Sequence, residues 1–412
     1  MCCPDLQFVS SSTCESFITT AADVAGGVTV FNNASGPVLS GYVTLTNFAA
    51  SAASAFLANN GINIIGPVAP GNSQTVFVPN IGTLVAFSAI AGLSVTGRVA
   101  VDAARRFPVP TCNILAYVTN YGDGTVSVID TATNMVISTV TVGLQPVDAV
   151  LTPNGTRVYI TNEGDGTVSV IDTATNMIIA TVTVGANPQG ATITRDGTRV
   201  YVANSADGTV SVIDTATNMV IATVTVGFLP SDVGITPNGT RAYVPNFGSN
   251  PGEVSVINTA TNLVIDTIIV GAFPSGVAIT PDGTRAYVTN YGDGTVSVID
   301  TATNIIIGAP VIVGSNPLAI SLTRDGTRAY TTNSTDGTIS VIDTAMNVVI
   351  ATVTVGSTPT DVGTTPDGTK AYVANFGDGT VSVVDATTNM VIDTVSVGTN
   401  PLGIGIGTIC RG

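Results

Sequence analysis

The 412-residue chain contains no histidine and no tryptophan. The absence of histidine removes the commonest general base in enzymes and the commonest protein ligand of transition metals. This absence weighs against hydrolases and against metal-dependent catalysts. We therefore expect a protein that is not an enzyme and that carries no cofactor.

Charged residues are also scarce, at 9% of the chain, and Lys370 is the only lysine. Acidic residues outnumber basic ones by 27 to 12, which gives a net charge of −15 at pH 7. Such a chain repels a phosphate backbone or an anionic lipid surface, and no cluster of basic residues offers a local exception. We expect no nucleic-acid partner.

Long hydrophobic runs are missing as well. No apolar stretch reaches the roughly 18 to 20 residues that a membrane-spanning helix needs, so no membrane insertion is expected. The first ten residues, "MCCPDLQFVS", lack the basic and apolar regions of a recognisable secretion signal. A surface made largely of Thr, Ser, Asn and Gly nevertheless suits a durable extracellular coat, so we expect an extracellular or cell-surface location.

What the chain does contain is a repeat that begins at Tyr117. The segment "YVTNYGDGTVSVIDTATNMVISTVTVGLQPVDAVLTPNGTR" is followed by "YITNEGDGTVSVIDTATNMIIATVTVGANPQGATITRDGTR", and the unit occurs seven times. Its tyrosines are Tyr117, Tyr159, Tyr201, Tyr243, Tyr287, Tyr330 and Tyr372. Each unit divides into four short strands at "DG" and "NG" turns. Seven four-stranded units predict an all-β fold, a seven-bladed β-propeller.

The phase of the repeat indicates how the ring closes. The first unit lacks the strand that precedes each later tyrosine, and the chain ends with "NPLGIGIGTICRG", which supplies that strand from the C-terminus. In this alignment Cys112 falls on the position of Asn154 and Cys410 on that of Gly155, two neighbours in a hairpin turn. We therefore predict an intrachain disulfide between Cys112 and Cys410 that closes the propeller.

The segment before the propeller does not share the repeat. It contains about eight short alternating strands separated by "ASGP", "APGN" and "IAG" turns, which predicts a β-sandwich of the jelly-roll type. The predicted organisation is a flexible connector at 1–14, the jelly roll at 15–104, a Pro-containing linker at 105–111 and the propeller at 112–412.

Both parts of the chain resemble known families. The segments "GVTVFNNASGP", "VTLTNF", "VAPGNSQTVFVPNIGTLVAFSA" and "GRVAVDA", preceded by "MCCP" and Cys14, resemble the subunits of bacterial endospore appendages, the Ena-type self-assembling fibres. From Tyr117 onward, "YVTN", "GTVSVIDTATN" and "PDGTRAYV" resemble the YVTN-type propeller repeat of prokaryotic surface proteins.

The first resemblance implies how the remaining cysteines are used. In the appendage family an N-terminal tip reaches into earlier subunits and forms disulfides there, and subunits also join sheet edge to sheet edge. Carried over, Cys2 and Cys3 would be the reaching pair and Cys14 a receiver on a neighbouring subunit. The family usually has a second receiver near the end of the domain. By position this would be Cys112, an alternative to its bond with Cys410.

The function expected from this resemblance is that of a structural subunit. The jelly roll would polymerise with copies of itself into a disulfide-cross-linked extracellular fibre of the spore-surface type, and the propeller would be displayed outside it, with an unidentified surface ligand as a further partner. The alternatives are a surface-anchored propeller adhesin or lectin-like binding protein and, disfavoured by the absence of histidine, a propeller enzyme.

Three aspartates are the metal candidates. Asp148, Asp232 and Asp361 follow "P-x" in the strand that usually lines a propeller channel, and carboxylate oxygens are ligands for Ca²⁺. The other repeats have small residues at this position, which favours polar side chains in a wet channel over a metal site. Those small residues are Gly190, Gly276, Ala319 and Gly403.

Overall fold

The computed structural model describes residues 111–411 continuously and shorter segments before them. Those segments are 10–19, 28–31, 39–47, 55–59, 62–69, 72–78, 84–88 and 95–105. The chain divides into two compact units between Pro110 and Thr111. Cys2 and Cys3, like most of the predicted connector and linker, lie outside the described residues. Nowhere in the described segments is there a helix with the length and hydrophobicity that crossing a membrane requires.

The N-terminal unit contributes eight strands. They are β1 (Ser10–Thr19), β2 (Val28–Phe31), β3 (Leu39–Asn47), β4 (Ala55–Asn59), β5 (Ile62–Val68), β6 (Ser73–Val78), β7 (Leu84–Ser88) and β8 (Val95–Arg105). They form two antiparallel four-stranded sheets, in the orders β1-β8-β3-β6 and β2-β7-β4-β5. Cys14 lies inside β1, opposite Ala100 of β8, so strand structure begins before the predicted end of the connector.

The second unit is a seven-bladed β-propeller, as the repeat predicts. The strands of blades 1 to 3 are β12 (Pro146–Leu151), β13 (Arg157–Asn162), β14 (Thr167–Asp172), β15 (Met177–Thr183); β16 (Pro188–Ile193), β17 (Arg199–Asn204), β18 (Thr209–Asp214), β19 (Met219–Thr225); and β20 (Gly234–Ile235), β21 (Arg241–Asn246), β22 (Glu253–Asn258), β23 (Leu263–Ile269). Within each blade the strands are antiparallel and run from the innermost to the outermost in chain order.

Blades 4 to 6 repeat this arrangement. Their strands are β24 (Pro274–Ile279), β25 (Arg285–Asn290), β26 (Thr295–Asp300), β27 (Ile305–Ile306), β28 (Val311–Ile312); β29 (Pro317–Leu322), β30 (Arg328–Asn333), β31 (Thr338–Asp343), β32 (Val348–Thr354); and β33 (Pro359–Thr364), β34 (Lys370–Asn375), β35 (Thr380–Asp385), β36 (Met390–Ser396). In blade 4 the outermost strand is split, and β27 and β28 both pair with β26.

Blade 7 is assembled from both ends of the unit. It consists of β9 (Thr111–Asn120), β10 (Thr125–Asp130), β11 (Met135–Thr141) and β37 (Pro401–Arg411), with β37 innermost. The pairing of β37 with β9 sets Cys410 directly opposite Cys112, and a disulfide joins the two. Because Cys112 is bonded within the chain, it is not the receiver of another subunit's cysteine in this structure.

The core lies between consecutive blades rather than inside each one. The seven repeat tyrosines are the largest fully buried side chains of the described residues. Each packs with the valines and isoleucines of its own blade and of the next; Tyr243, for example, belongs to a cluster with Val256 of blade 3 and Val288 and Ile299 of blade 4. The ring is thus built of seven equivalent interfaces between consecutive blades, and each blade buries its apolar side chains against the next one.

Polar contacts cross the same interfaces. The hydroxyl of Tyr243 donates to Asn304 Oδ1 of blade 4 at 2.8 Å, and Asn304 is held at a positive φ of 59° in its turn, a conformation that asparagine tolerates. At six of the seven interfaces in residues 111–411, a positively charged side chain also donates a hydrogen bond to a backbone carbonyl of the next blade. These cations are Arg157, Arg199, Arg241, Arg285, Arg328 and Lys370. At the interface from blade 7 to blade 1, Leu115 occupies the equivalent position.

Replacing Tyr243 by phenylalanine is expected to lower the free energy of unfolding by about 1 kcal/mol, because a buried hydrogen bond between blades is lost. Tyr201→Phe is the matched control, since the buried hydroxyl of Tyr201 has no hydrogen-bond partner among the described residues. Its removal should change stability by less than about 0.5 kcal/mol. Urea unfolding measures both values, and equal losses in the two variants would contradict the prediction.

Candidate functional site in the central channel

The innermost strands surround a channel with a cavity of about 180 Å³. Two residues from each blade line it, the first and second positions after the proline of Val-Gly-x-x-Pro. Asp148, Asp232 and Asp361 all face this cavity, as do Ser231 and Thr360. The structure therefore brings together the three aspartates that the sequence identified as candidates.

Each carboxylate accepts two backbone hydrogen bonds and links two blades. Asp148 accepts from the N–H of Ala149 in its own strand at 2.7 Å and from that of Ala191 in blade 2 at 2.8 Å. Asp232 accepts from Val233 at 2.7 Å and from Val277 in blade 4 at 2.9 Å.

Asp361 likewise accepts a hydrogen bond from the backbone N–H of Val362 in its own strand and from that of Ile404 in blade 7, both at 2.7 Å. The three carboxylates thus bridge blades 1 and 2, blades 3 and 4, and blades 6 and 7. Their first role is therefore to connect the innermost strands.

The small residues beside the aspartates are required by space. A Cβ atom at Gly190 would lie 2.4 Å from Asp232 Oδ1, and a Cβ atom at Gly403 would lie 2.3 Å from the carbonyl oxygen of Val147. Neither distance is compatible with a side chain. Packing therefore explains why aspartate and glycine alternate from blade to blade around the channel. An odd number of blades cannot alternate without a break, and the break lies between blades 4 and 5, where Gly276 is followed by Ala319.

Burial changes the acidity of these groups. Loss of solvation and, after it, the negative charge of Asp148 raise the pKa of Asp232 to about 7, against the lowering effect of the backbone hydrogen bonds. The pKa of Asp361 is also raised to about 7 by burial and by Asp148, and burial raises the pKa of Asp148 itself. At neutral pH the channel therefore holds protons that ordinary aspartates would have released.

The channel does not gather these carboxylates into a metal site. Among the described residues no three Asp, Glu, Cys or His side chains are grouped closely enough to hold a metal ion. Both oxygens of each carboxylate already accept a backbone N–H, as described above. The geometry gives no support to Ca²⁺ ligation by Asp148, Asp232 and Asp361.

A second group of aspartates has a purely local role. In the "DGTVSV" turns the carboxylate accepts a hydrogen bond from a backbone N–H of the loop that enters the innermost strand of the same blade. Asp165 accepts from Leu144 and Asp293 accepts from Ala272, both at 2.7 Å. The same contact occurs in six blades. A contact that recurs at this frequency belongs to the fold.

Sequence reasoning missed one feature of the face on which these loops lie. The rings of Phe247 and Phe273 have centroids 5.6 Å apart, and those of Phe247 and Tyr291 are 5.7 Å apart. The available signal was the departure of "VGFLP" and "VGAFP" from the polar residues of the other loops. That signal is not periodic, so a search for repeats passes over it.

Comparison with known proteins supports the propeller. Residues 111–241 match the family model described as the cytochrome D1 heme domain. No curated protein matches the sequence of this chain. The matched segment spans blade 1, blade 2 and parts of blades 3 and 7.

Solved structures share the same architecture. A chain of hydrazine synthase from Kuenenia stuttgartiensis aligns with a TM-score of 0.61 and 23% identity, covering 65% of this chain and 91% of that chain. A functionally unknown protein from Desulfotomaculum acetoxidans DSM 771 aligns with a TM-score of 0.63 and 18% identity, covering 72% and 99%. Dihydro-heme d1 dehydrogenase NirN in complex with DHE aligns with a TM-score of 0.54 and 18% identity, covering 73% and 76%.

These comparisons correct one expectation. The lack of histidine predicts that the protein is not an enzyme, and that prediction is wrong: the matching family model is a heme domain, and a synthase and a dehydrogenase are among the similar structures. Missing histidine removes one type of catalytic residue, whereas the propellers that this chain resembles include enzymes. The conclusion that the fold and the comparisons support together is that the chain from Thr111 to Arg411 is a seven-bladed β-propeller, of which residues 111–241 are similar to the cytochrome D1 heme domain.

Proposed function

We propose that this protein is a structural subunit of a disulfide-cross-linked extracellular fibre, of the kind found on spore surfaces. In this proposal the N-terminal unit is a jelly roll that polymerises with copies of itself, and the propeller is a displayed binding module. The resemblance of the first 110 residues to fibre subunits suggests the assignment, and the distribution of the cysteines and the strand order of the N-terminal unit support it.

The distribution of the cysteines carries the proposal. Of the five cysteines, Cys112 and Cys410 are bonded to each other. Cys2, Cys3 and Cys14 are an odd number and cannot all pair with one another. Cys14 belongs to β1, which lies at the edge of its sheet, where a second chain can approach. Disulfides to neighbouring subunits therefore account best for this set.

The strand order of the N-terminal unit supports the polymerisation step. Eight antiparallel strands in two four-stranded sheets are what a jelly roll contains. The edge strands are β1 and β6 in one sheet and β2 and β5 in the other. Edge strands carry unpaired backbone groups, and pairing with an edge of the next copy would satisfy them.

Electron microscopy of the purified full-length protein tests this proposal. Fibres are expected under oxidising conditions, and Cys2→Ser combined with Cys3→Ser should leave the propeller folded while the fibres dissociate in denaturant. Cys112→Ser with Cys410→Ser is the matched control, because it also removes two thiols but should leave the links between subunits in place. A protein that stays monomeric when oxidised, or a tip variant with equally resistant fibres, would refute the proposal.

The residues of the channel do not fit a heme, although the matching family model is named for one. The chain has no histidine to bind the iron. The repeat tyrosines, another type of heme ligand, are buried between blades. The channel cavity of about 180 Å³ is also smaller than the roughly 300–1,000 Å³ of most cofactor pockets. No heme chemistry therefore enters the proposal.

A further inference from the structure

The seven blades are close copies, so a departure confined to one arc of the ring calls for its own explanation. The loops that enter the innermost strands read Val-Gly-x-x-Pro in every blade. Five of them carry polar or small residues or one leucine at the variable positions, whereas the loops entering blades 3 and 4 carry Phe228 and Phe273. Blade 3 also has the longer turn "FGSNPGE", which contains Phe247.

These residues form one surface, which we call the aromatic strip: Phe228, Phe247, Phe273 and Tyr291. Phe247 contacts both Phe273 and Tyr291, at the centroid distances given above. The ring of Phe228 lies over Gly248, where an added Cβ would be 2.4 Å from the ring. Phe228 is 63% exposed and Phe273 is 47% exposed. Two large rings are thus held in place with much of their surface open to solvent.

Folding does not require phenylalanine at these positions. Phe273 has a φ of 53°, in the left-handed region where bulky residues are disfavoured, and Leu229 beside Phe228 has a φ of 51°. In three other loops the same position holds asparagine, which tolerates this conformation better. All seven loops have a positive φ at this position, so the fold sets the backbone conformation and the bulky Phe273 is what departs from the repeat.

The aromatic strip adjoins polar groups of the channel mouth. Phe228 is three residues before Ser231, and Phe273 is two residues before Ser275, so the corresponding Cα atoms are at most about 11 Å and 7 Å apart. Ser231, Ser275 and Asp232 line the channel cavity. A ligand on the strip would therefore pack on rings and lie beside the serine hydroxyl groups at the same time.

We propose that the aromatic strip binds a neutral carbohydrate chain. Sugar rings have apolar C–H faces that pack on aromatic rings, and hydroxyl groups that need hydrogen-bond partners such as Ser231 and Ser275. The net charge of −15 disfavours acidic glycans and other anions. The inference builds on the proposed display of the propeller, although the strip lies within residues 111–411 and would bind in a monomer as well.

The test uses the full-length protein on an array of neutral and acidic glycans. Binding is expected to neutral glycans, and Phe228→Ala combined with Phe273→Ala should weaken it by at least about tenfold, a loss of roughly 1.4 kcal/mol. Phe376→Ala is the matched control, because Phe376 pairs with Tyr121 on the opposite arc at 6.4 Å and lies outside the strip. Thermal unfolding establishes that all variants are folded.

Three results would overturn the inference: no signal from any neutral glycan, equal binding by the strip variant and the wild type, or equal loss in Phe376→Ala. Binding of an apolar peptide without any glycan would also overturn it, since the strip would then serve a protein partner. Electron micrographs of the same preparations decide the fibre proposal separately, because glycan binding does not require polymerisation.

Discussion

A variant in which Cys112 and Cys410 are both serine is expected to be less stable than the oxidised wild type by up to about 5 kcal/mol. The bond joins positions 298 residues apart, and in the chain-entropy model cross-linking a loop of this length stabilises the folded state by an amount of that order. The innermost strand of blade 7, β37, is attached to β9 by backbone hydrogen bonds and by this disulfide. Without it, blade 7 should open first.

Guanidinium unfolding under oxidising conditions, followed by circular dichroism, measures this effect. The midpoint should move to lower denaturant concentration in the serine variant and in reduced wild type, by similar amounts. Cys2→Ser with Cys3→Ser is the control and should unfold at the wild-type midpoint, since those cysteines are not part of the propeller. A serine variant with the wild-type midpoint would mean that the strand pairing alone holds the ring closed.

The ring itself could be predicted because its information is local and repeated. Tyrosines about every 42 residues, "DG" and "NG" turns and four alternating strands each point to the same blade. The missing strand of the first unit and the spare strand at the end of the last fix how the ring closes. A break in a periodic pattern is easy to locate, and the alignment of Cys112 with Cys410 needed no knowledge of side-chain geometry.

The properties of the channel could not be predicted in the same way. The sequence places Asp148, Asp232 and Asp361 on the lining strand, but which backbone amide each carboxylate reaches depends on the twist between adjacent blades. In the sequence, Gly190 and Gly403 are only small residues that argue against a metal site; in the structure, they are positions where a side chain would collide with the adjacent innermost strand. The aromatic strip joins residues that are far apart in sequence, so no local sequence pattern predicts that they form one surface.

The protein is expected to be most stable at about pH 4 to 5 and to lose stability as the pH rises to 8. Asp232 and Asp361 have a pKa of about 7 in the folded state, against an ordinary value of 3.8. Between these values the folded protein binds protons that the unfolded chain has released, so stability falls with rising pH across this window and levels off above it. The cause is the burial of the carboxylates together with the nearby charge of Asp148.

A separate set of aspartates sets the acidic limit. Hydrogen bonds from neighbouring threonines lower the pKa of exposed turn aspartates such as Asp196, Asp282 and Asp325. For these groups the folded state binds fewer protons than the unfolded chain, so their contribution is present above pH 4 and is lost as the pH falls through their lowered pKa values. The two sets act in different pH windows and together produce the expected maximum.

Thermal unfolding measured from pH 3 to pH 8.5 tests this prediction. The wild-type Tm should be at least about 5 °C lower at pH 8 than at pH 5. Asp232→Asn with Asp361→Asn should flatten that decline, although it lowers Tm at pH 5 because an amide accepts only one of the two backbone N–H groups. Asp282→Asn is the control and should alter only the limb below pH 4. A wild-type Tm that rises from pH 5 to pH 8, or an undiminished decline in the double variant, would show that the channel carboxylates do not retain protons on folding.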